Sequence, residues 1–204
     1  MLSTNPKTVR IRGFFRNLSR DTVTTLPNPL KVPMIDIEDS PTTTERPHFE
    51  SAADVAAFVT SGKAVFTVES VKTGKRFTYR VAKPFDKETG KVDHDATIAF
   101  AAALTGPDNT RDYSYFGNVR LSPNGNRYDY GRKAKIGQDA ASVLAFAWFW
   151  QTVIAGQRLP DTLKVYHEGR CGRCGRALTV PASIRSGIGP ECAKRSTMIA
   201  DEGF

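Results

Sequence analysis

The spacing of hydrophobic and polar positions first indicates a helix, in the segment SAADVAAFVTSG that begins at Ser51. Positions three and four apart lie on one side of a helix, and here they are Val55, Phe58 and Val59. Ser51 can cap the start of this helix, and Gly62 can end it. The pattern therefore predicts a short amphipathic helix at the start of a globular part.

Alternation at every second position follows, which is typical of strands with one buried face. The runs KAVFTVESV (63–71) and KRFTYRVA (75–82) are joined by a turn at Lys72–Lys75, which predicts a hairpin. One face of its second strand carries Phe77, Tyr79 and Val81, and the other carries Arg76, Thr78 and Arg80. Further runs predict a strand or short helix at 96–104, a strand at 113–121 with Tyr113 and Tyr115 on one face, and a strand at 127–130.

The period then becomes helical from Asp139, which can cap the helix, to about Ala155, with Gly156 ending it and Pro160 beyond. Its apolar residues cover much of the circumference: Val143, Phe146, Ala147, Phe149, Trp150 and Ile154. A helix of this kind is the central packing element. We therefore expect an α+β fold, in which a small antiparallel sheet packs on one long core helix.

Three segments divide the chain by composition. Residues 1–50 combine a basic arm (1–20), which holds five cations and no acid, with a Thr- and Pro-rich extended segment. The arm either lies on phosphates or is a solvated tail or edge strand. Residues 51–160 form the predicted globular domain, and residues 161–204 form a module that contains all three cysteines.

The composition indicates a globular protein with an excess of basic over acidic residues. It has 204 residues, 40% hydrophobic and 25% charged, a net charge of +8 and a pI near 9.5. This charge favours an anionic partner such as nucleic acid. The first residues do not resemble a signal peptide, and the apolar run 140–156 is short for a membrane span and contains Gln151 and Thr152. We expect a cytoplasmic protein that does not bind membranes.

The cysteines lie in HEGRCGRCGRALTVPASIRSGIGPECAKR, residues 167–195. Cys171 and Cys174 have the CxxC spacing that lets two thiolates bind one Zn²⁺, and Cys192 follows after 17 intervening residues. Glycines after the first two cysteines permit the tight backbone of a zinc knuckle. His167 is the candidate fourth ligand, which would complete a structural, zinc-knuckle-like site.

Other interpretations of this segment stay open. The CxxC pair could be a redox motif, although the βαβ unit typical of such motifs is missing, or the cysteines could carry no ligand. The fourth metal ligand could instead be a water, Glu191 or a group of a partner chain. The run Ser186–Pro190 resembles the turn of a helix-hairpin-helix element, in which the amides around Gly187 and Gly189 bind a phosphate; alternatively, these glycines only bend the chain towards the metal.

The run CGRCGRALTVPASIRSGIGPEC resembles a module of uncharacterised bacteriophage and mobile-element proteins that share a CxxCGRxLT…SIxxGIGPxC pattern. The segments FTVESVKTGKRFTYRV and LTGPDNTRDYSYFG are also similar to the region that precedes the module in longer members. The resemblance implies metal binding at Cys171, Cys174 and Cys192 and a phage or mobile-element origin, hence a host-cell cytoplasmic location. It implies no activity.

No phosphate-binding loop, Ser/His/Asp order, carboxylate pair or HExxH motif occurs, so we expect a non-enzymatic protein. The leading hypothesis is an accessory protein that binds nucleic acid through basic residues of the module: Arg170, Arg173, Arg176, Arg185, Lys194 and Arg195, with Gly187 and Gly189 at the turn. The alternatives are a factor that inhibits or modifies a host protein machine and a virion component. The tyrosines and arginines of the sheet could stack on unpaired bases, or they could be ordinary strand residues.

Overall fold

The computed structural model describes residues 48–201, with the side chains of residues 48–195. All of these residues belong to one compact unit. The predicted basic arm and the Thr- and Pro-rich segment up to Pro47 lie outside the described residues. The architecture is α+β, as the patterns predict.

Six antiparallel strands form one sheet in the order β5-β4-β3-β2-β1-β6. Their bounds are β1 Lys63–Ser70, β2 Arg76–Ala82, β3 Ile98–Leu104, β4 Tyr113–Arg120, β5 Arg127–Tyr130 and β6 Leu163–His167. The predicted hairpin is β1–β2, in which Phe66 pairs with Tyr79. The segment 96–104, for which both strand and helix were open, forms β3.

One face of the sheet carries the core. Five of the strands bury residues on this face, among them Phe66, Tyr79, Ala101, Phe116 and Val165, whereas residues of β5 are at most half-buried. Their rings contact one another and the helices; the Tyr79 and Phe146 centroids are 5.1 Å apart. We call the opposite face the open face; on β3 it carries Ile98 and Phe100, which are 40% and 46% exposed.

Helix α1 (Ala52–Val59) confirms the predicted amphipathic helix. The Ser51 side chain accepts a hydrogen bond from the backbone N–H of Asp54, and Val55, Phe58 and Val59 are buried. The cap satisfies an amide that would otherwise lack a partner at the start of the helix.

The second helical segment differs from the prediction of one long helix. Helix α2 spans Ala141–Phe149 and continues as a π-helical segment, Trp150–Ala155. The expected cap at Asp139 is wrong, because Ala140 is the N-cap and no side-chain hydrogen bond caps the helix. The wider π turn leaves Trp150, Val153 and Ile154 all buried.

A β-bulge in β4 sets which side chains reach the open face. Ala101 pairs with Gly117, but Ala102 pairs with Tyr115, so Phe116 is the extra residue. Phe116 and Val119 are both buried, which an unbroken alternation does not allow. The bulge therefore keeps Tyr113 and Tyr115 on the open face while it supplies two core residues.

Strand β6 shows how the cysteine module joins the sheet. It begins two residues after the predicted module boundary and pairs with β1 along its whole length. The division into residues 51–160 and 161–204 stays a prediction. None of the helices among residues 48–201 is long and apolar enough to cross a membrane.

Candidate metal centre

The chain turns back on itself directly after β6 to form a knuckle. The Leu178 N–H donates to the Gly169 carbonyl (2.8 Å), and the Cys171 N–H donates to the Arg176 carbonyl (2.8 Å). Gly175 closes the turn at φ +79°, a left-handed conformation that glycine adopts without penalty. This tight turn brings the side chains of Cys171 and Cys174 together.

Two helices then return Cys192 to the same place. Helix α3 (Pro181–Ser186) begins with a proline and ends at Gly187, which has φ +70°. Helix α4 (Pro190–Asp201) starts three residues later, so Cys192 lies in its first turn. The N–H of Cys192 donates to the carbonyl of Gly189 over 3.0 Å.

The three sulfur atoms lie within 4.8 Å of one another. Thiolates bound tetrahedrally to Zn²⁺ at about 2.3 Å would be about 3.8 Å apart, so a small closure would bring all three into contact with one ion. A set of thiolates selects a soft or borderline cation over Mg²⁺ or Ca²⁺. Cys171, Cys174 and Cys192 are therefore close enough to hold a metal ion.

Electrostatics of the cluster also fit a cation. Burial acts to raise the pKa of the Cys171 thiol, but backbone N–H groups of Gly189, Cys174 and Arg173 hold this pKa below its ordinary value. Burial and the neighbouring thiols raise the pKa of Cys192 to about 12. The Cys171 thiolate is thus stabilised, whereas burial and the neighbouring thiols oppose ionisation of Cys192, which a divalent cation would favour.

The Gly189 amide has a defined role beside this cluster. Its N–H donates to the Cys171 sulfur over 3.3 Å, an arrangement that stabilises the thiolate form. The amide of the preceding residue, Ile188, faces the Ser186 hydroxyl at 3.3 Å. These contacts match the interpretation in which the glycines shape the metal site, more than the one in which the turn presents its amides to a phosphate.

His167, the predicted fourth ligand, is not part of the sulfur group. Its Nδ1 accepts from the N–H of Gly169 (3.0 Å), and its Nε2 lies 2.6 Å from the Ile184 carbonyl. Because an amide only donates and a carbonyl only accepts, these partners place the proton on Nε2. The ring also packs against Phe49 and Phe58, at centroid distances of 5.3 and 5.6 Å. The structure thus places His167 in a packing and hydrogen-bonding position.

Two glycines of the module are required by close packing on Phe58. A Cβ on Gly187 would lie 2.4 Å from Phe58 Cδ2, and one on Gly172 would lie 2.7 Å from the same atom. The Gly172 N–H donates to the Gly187 carbonyl (3.0 Å), and the Gly172 carbonyl accepts from the backbone N–H of Lys63 (2.6 Å). Gly187 is buried, so the predicted contact of this residue with nucleic acid is not supported by its position.

Residues 161–197 match a family of unknown function (DUF6011). The matched segment starts just before β6 and runs through the knuckle, α3 and the first turns of α4. It contains all three cysteines, so the similarity covers the whole candidate metal centre. No curated protein and no solved structure matches the chain.

Most of the predicted basic residues are accessible on the surface. Five of them are exposed: Arg170, Arg176, Arg185, Lys194 and Arg195. Arg173 is half-buried between the first two cysteines. Lys194 pairs with Glu191 at 3.6 Å, and Glu191 lines a cavity of about 240 Å³ beside the three sulfurs.

The sequence did not indicate the ring cluster that docks the module, formed by Phe49, Phe58 and His167. Periodicity identified Phe58 as a core residue of α1 but could not show which segment packs on it. The sequence does contain two glycines, 172 and 187, at the positions where the module packs on Phe58. A glycine can serve either a tight turn or the close approach of another side chain, and only the tertiary structure shows which role applies.

Proposed function

We propose that the protein is a non-enzymatic accessory protein that binds nucleic acid, with the basic module held rigid by a structural Zn²⁺ site. The observation that supports this proposal is that five exposed cations lie in the same segment as the group of three cysteines. Between residues 167 and 195 the chain has six cations and two acids. A cluster of this charge attracts phosphates, and a rigid support fixes the cations in position.

Zinc is the proposed metal because three thiolates and a CxxC knuckle form a donor set typical of structural zinc. Cys171, Cys174 and Cys192 would hold the ion. The fourth ligand would be a water or the Glu191 carboxylate, since Glu191 lines the cavity beside the sulfurs. The bound ion would fix the knuckle to the start of α4.

Metal content tests the zinc part directly. Protein purified without added chelator should contain one equivalent of zinc, and the Cys192→Ser variant should contain much less because a hydroxyl is a poor replacement for a thiolate. Serine substitution at an exposed site without a ligand role, such as Thr73→Ser, is the control. Wild-type protein that binds no zinc would exclude the proposed site.

Salt-dependent binding tests the nucleic-acid part. Fluorescence polarization should show affinity for single-stranded or duplex DNA or RNA at low salt. The logarithm of the association constant should fall linearly with the logarithm of the salt concentration, with a slope of about 0.9 or less for each phosphate contacted. The triple variant Arg176→Ala, Arg185→Ala, Arg195→Ala should bind more weakly and with a shallower slope. A control triple in exposed loops, Lys72→Ala, Lys75→Ala, Lys87→Ala, removes the same number of positive charges and should keep the salt dependence of the wild type. No affinity for any of these nucleic acids at low salt would refute the proposal.

A protein-interaction role is the second candidate. It is favoured by two large apolar side chains one turn apart on α2, Leu144 and Trp148, which are 56% and 48% exposed. Such residues on a helix surface are a common basis for protein contacts. Pull-down from a nuclease-treated host lysate should then recover one protein in stoichiometric amount with wild type but not with Trp148→Lys.

A further inference from the structure

The open face of the sheet forms a groove of about 780 Å³ that the metal centre does not use. Strands β1 to β4 supply its floor, and residues around Phe85 and the knuckle supply its rims. Its volume lies within the range of small-ligand sites, about 300–1,000 Å³. It therefore accommodates a short segment of a larger ligand.

Four aromatic side chains line the groove: Phe85, Phe100, Tyr113 and Tyr115. Phe85 and Phe100 are 59% and 46% exposed, and the Phe100 and Tyr115 rings meet edge to face with centroids 6.3 Å apart. Exposed aromatic rings close together give up the hydrophobic stabilisation of burial. A flat apolar ligand would recover it.

Cations share the groove with these rings. The Arg80 guanidinium lies 4.2 Å from the centre of the Tyr113 ring, and the Lys63 ammonium lies 5.5 Å from that of Phe85. Four cations and one acid line the groove: Lys63, Arg80, Lys83, Arg170 and Glu168. The charge is therefore complementary to an anion, while the rings suit a flat apolar group.

Polar groups of the groove have hydrogen-bonding positions that a ligand could use. Arg80 and Arg170 each direct one N–H towards a backbone carbonyl, of Thr110 and Gly175 respectively, and a guanidinium carries several further donors. The Tyr113 hydroxyl is buried and has no hydrogen-bond partner among residues 48–195. A polar group that enters the groove could satisfy it.

We propose that this groove binds a short stretch of single-stranded nucleic acid, with bases stacked on Phe100, Phe85 and Tyr115 and phosphates held by Lys63, Arg80 and Arg170. Only unpaired bases expose their faces for stacking; a duplex hides them. The inference rests on the proposed function and adds its site and strand preference. Lys83 also lines a second cavity together with Arg173, which places the groove next to the basic module.

Polarization with a labelled oligothymidylate of about 12 nucleotides tests the groove, with a duplex of equal length as the second probe. Loss of one stacking ring costs about 1–3 kcal/mol per base, so Phe100→Ala should weaken single-strand binding by about 5- to 150-fold. Phe100→Trp should preserve it, and duplex binding should not change. Trp148→Ala removes an aromatic side chain of similar exposure from α2 and should have no effect.

Three other outcomes would overturn the groove inference, and the first of them leaves the proposed function standing. If Phe100→Ala binds the single strand as wild type does while the module's arginine triple variant loses binding, the groove inference is wrong and the proposed function stands. If Phe100→Ala weakens single-strand and duplex binding equally, the substitution does not act through stacking and the inference is again wrong. If wild type binds neither probe at low salt, the groove inference is wrong, and the proposed function fails as well when RNA is not bound either.

Discussion

At the scale of single residues, Gly187 lets the cysteine module pack closely on α1 because it has no side chain. It combines a left-handed backbone with contact to the Phe58 ring. Any side chain would be penalised twice, once by its backbone conformation and once by overlap with a ring that is 1% exposed. The two penalties can be separated experimentally.

Gly187→Ala should lower the free energy of unfolding by about 2–4 kcal/mol, because backbone strain adds to overpacking. Gly74→Ala is the matched control: its φ is +65°, but nothing lies within 4 Å of the added Cβ. It should cost only about 1 kcal/mol. Urea denaturation measures both values, and equal losses would contradict the packing role of Gly187.

Tyr79 predicts how stability depends on alkaline pH. Burial, and then the nearby Tyr128, raise the pKa of Tyr79 well above its ordinary value, and its hydroxyl donates to the Ser142 carbonyl (2.7 Å). Above about pH 10 the unfolded chain loses this proton and the folded chain keeps it. The folded state then binds more protons, so the free energy of unfolding falls as pH rises.

The Tyr79→Phe variant should therefore lose less stability than wild type between about pH 9 and pH 11, since one ionising group is gone. Near neutral pH it should be about 1 kcal/mol less stable, because the Ser142 carbonyl loses its donor. Urea titrations at each pH measure both effects. Parallel pH profiles for the two proteins would show that Tyr79 does not contribute.

At the scale of elements, sequence periodicity predicted α1, the β1–β2 hairpin, β4 and β5 because each has a local pattern of burial. The same reasoning missed β6, whose five residues are too short to show a clear period. It also joined α2 and the π-helical segment into one helix, because a π turn preserves an apolar surface. These failures occur where the partner of an element, rather than its own pattern, decides its structure.

The candidate metal centre was predictable in part for the same reason. The CxxC spacing and the return of Cys192 are local features, and the structure brings those three sulfurs together. The position of His167 depends on its contacts with Phe49, Phe58 and Ile184, which are distant in sequence. Spacing alone therefore could not exclude it from the cluster.

Metal removal should loosen α3 and α4 and leave the sheet intact. Cys192 is the only sulfur of the group on α4, whereas β6 has its own ladder with β1. Hydrogen exchange after treatment with a chelator should accelerate most in residues 171–195 and less in strands β1 to β4. Equal acceleration in the module and in the described strands would contradict this local loosening.

At the scale of the whole molecule, the module is coupled to the core through Phe58 and through the Lys63–Gly172 hydrogen bond. A ligand that binds only the folded module therefore stabilises the entire unit, by an amount that depends on its free concentration. Because of this coupling, the midpoint of thermal unfolding, Tm, should rise when the metal binds.

Added Zn²⁺ at about 100 times its Kd should stabilise the metal-free protein by about 2.7 kcal/mol. For a chain of this size the corresponding rise in Tm is about 5–11 °C. Mg²⁺, which prefers oxygen ligands, is the control and should cause no shift. A similar rise in Cys192→Ser would contradict binding at the three sulfurs.

The packing of Phe58 against Gly172 and Gly187 limits the portability of the module. Residues 161–197 include β6 but not the β1 edge that pairs with it, nor the ring that packs on the two glycines. Transplanted alone into an unrelated protein, the segment would expose a strand edge and leave a gap behind the knuckle. A successful graft would have to carry α1 and β1 as well, so the smallest transferable unit is larger than the segment that the family match delimits.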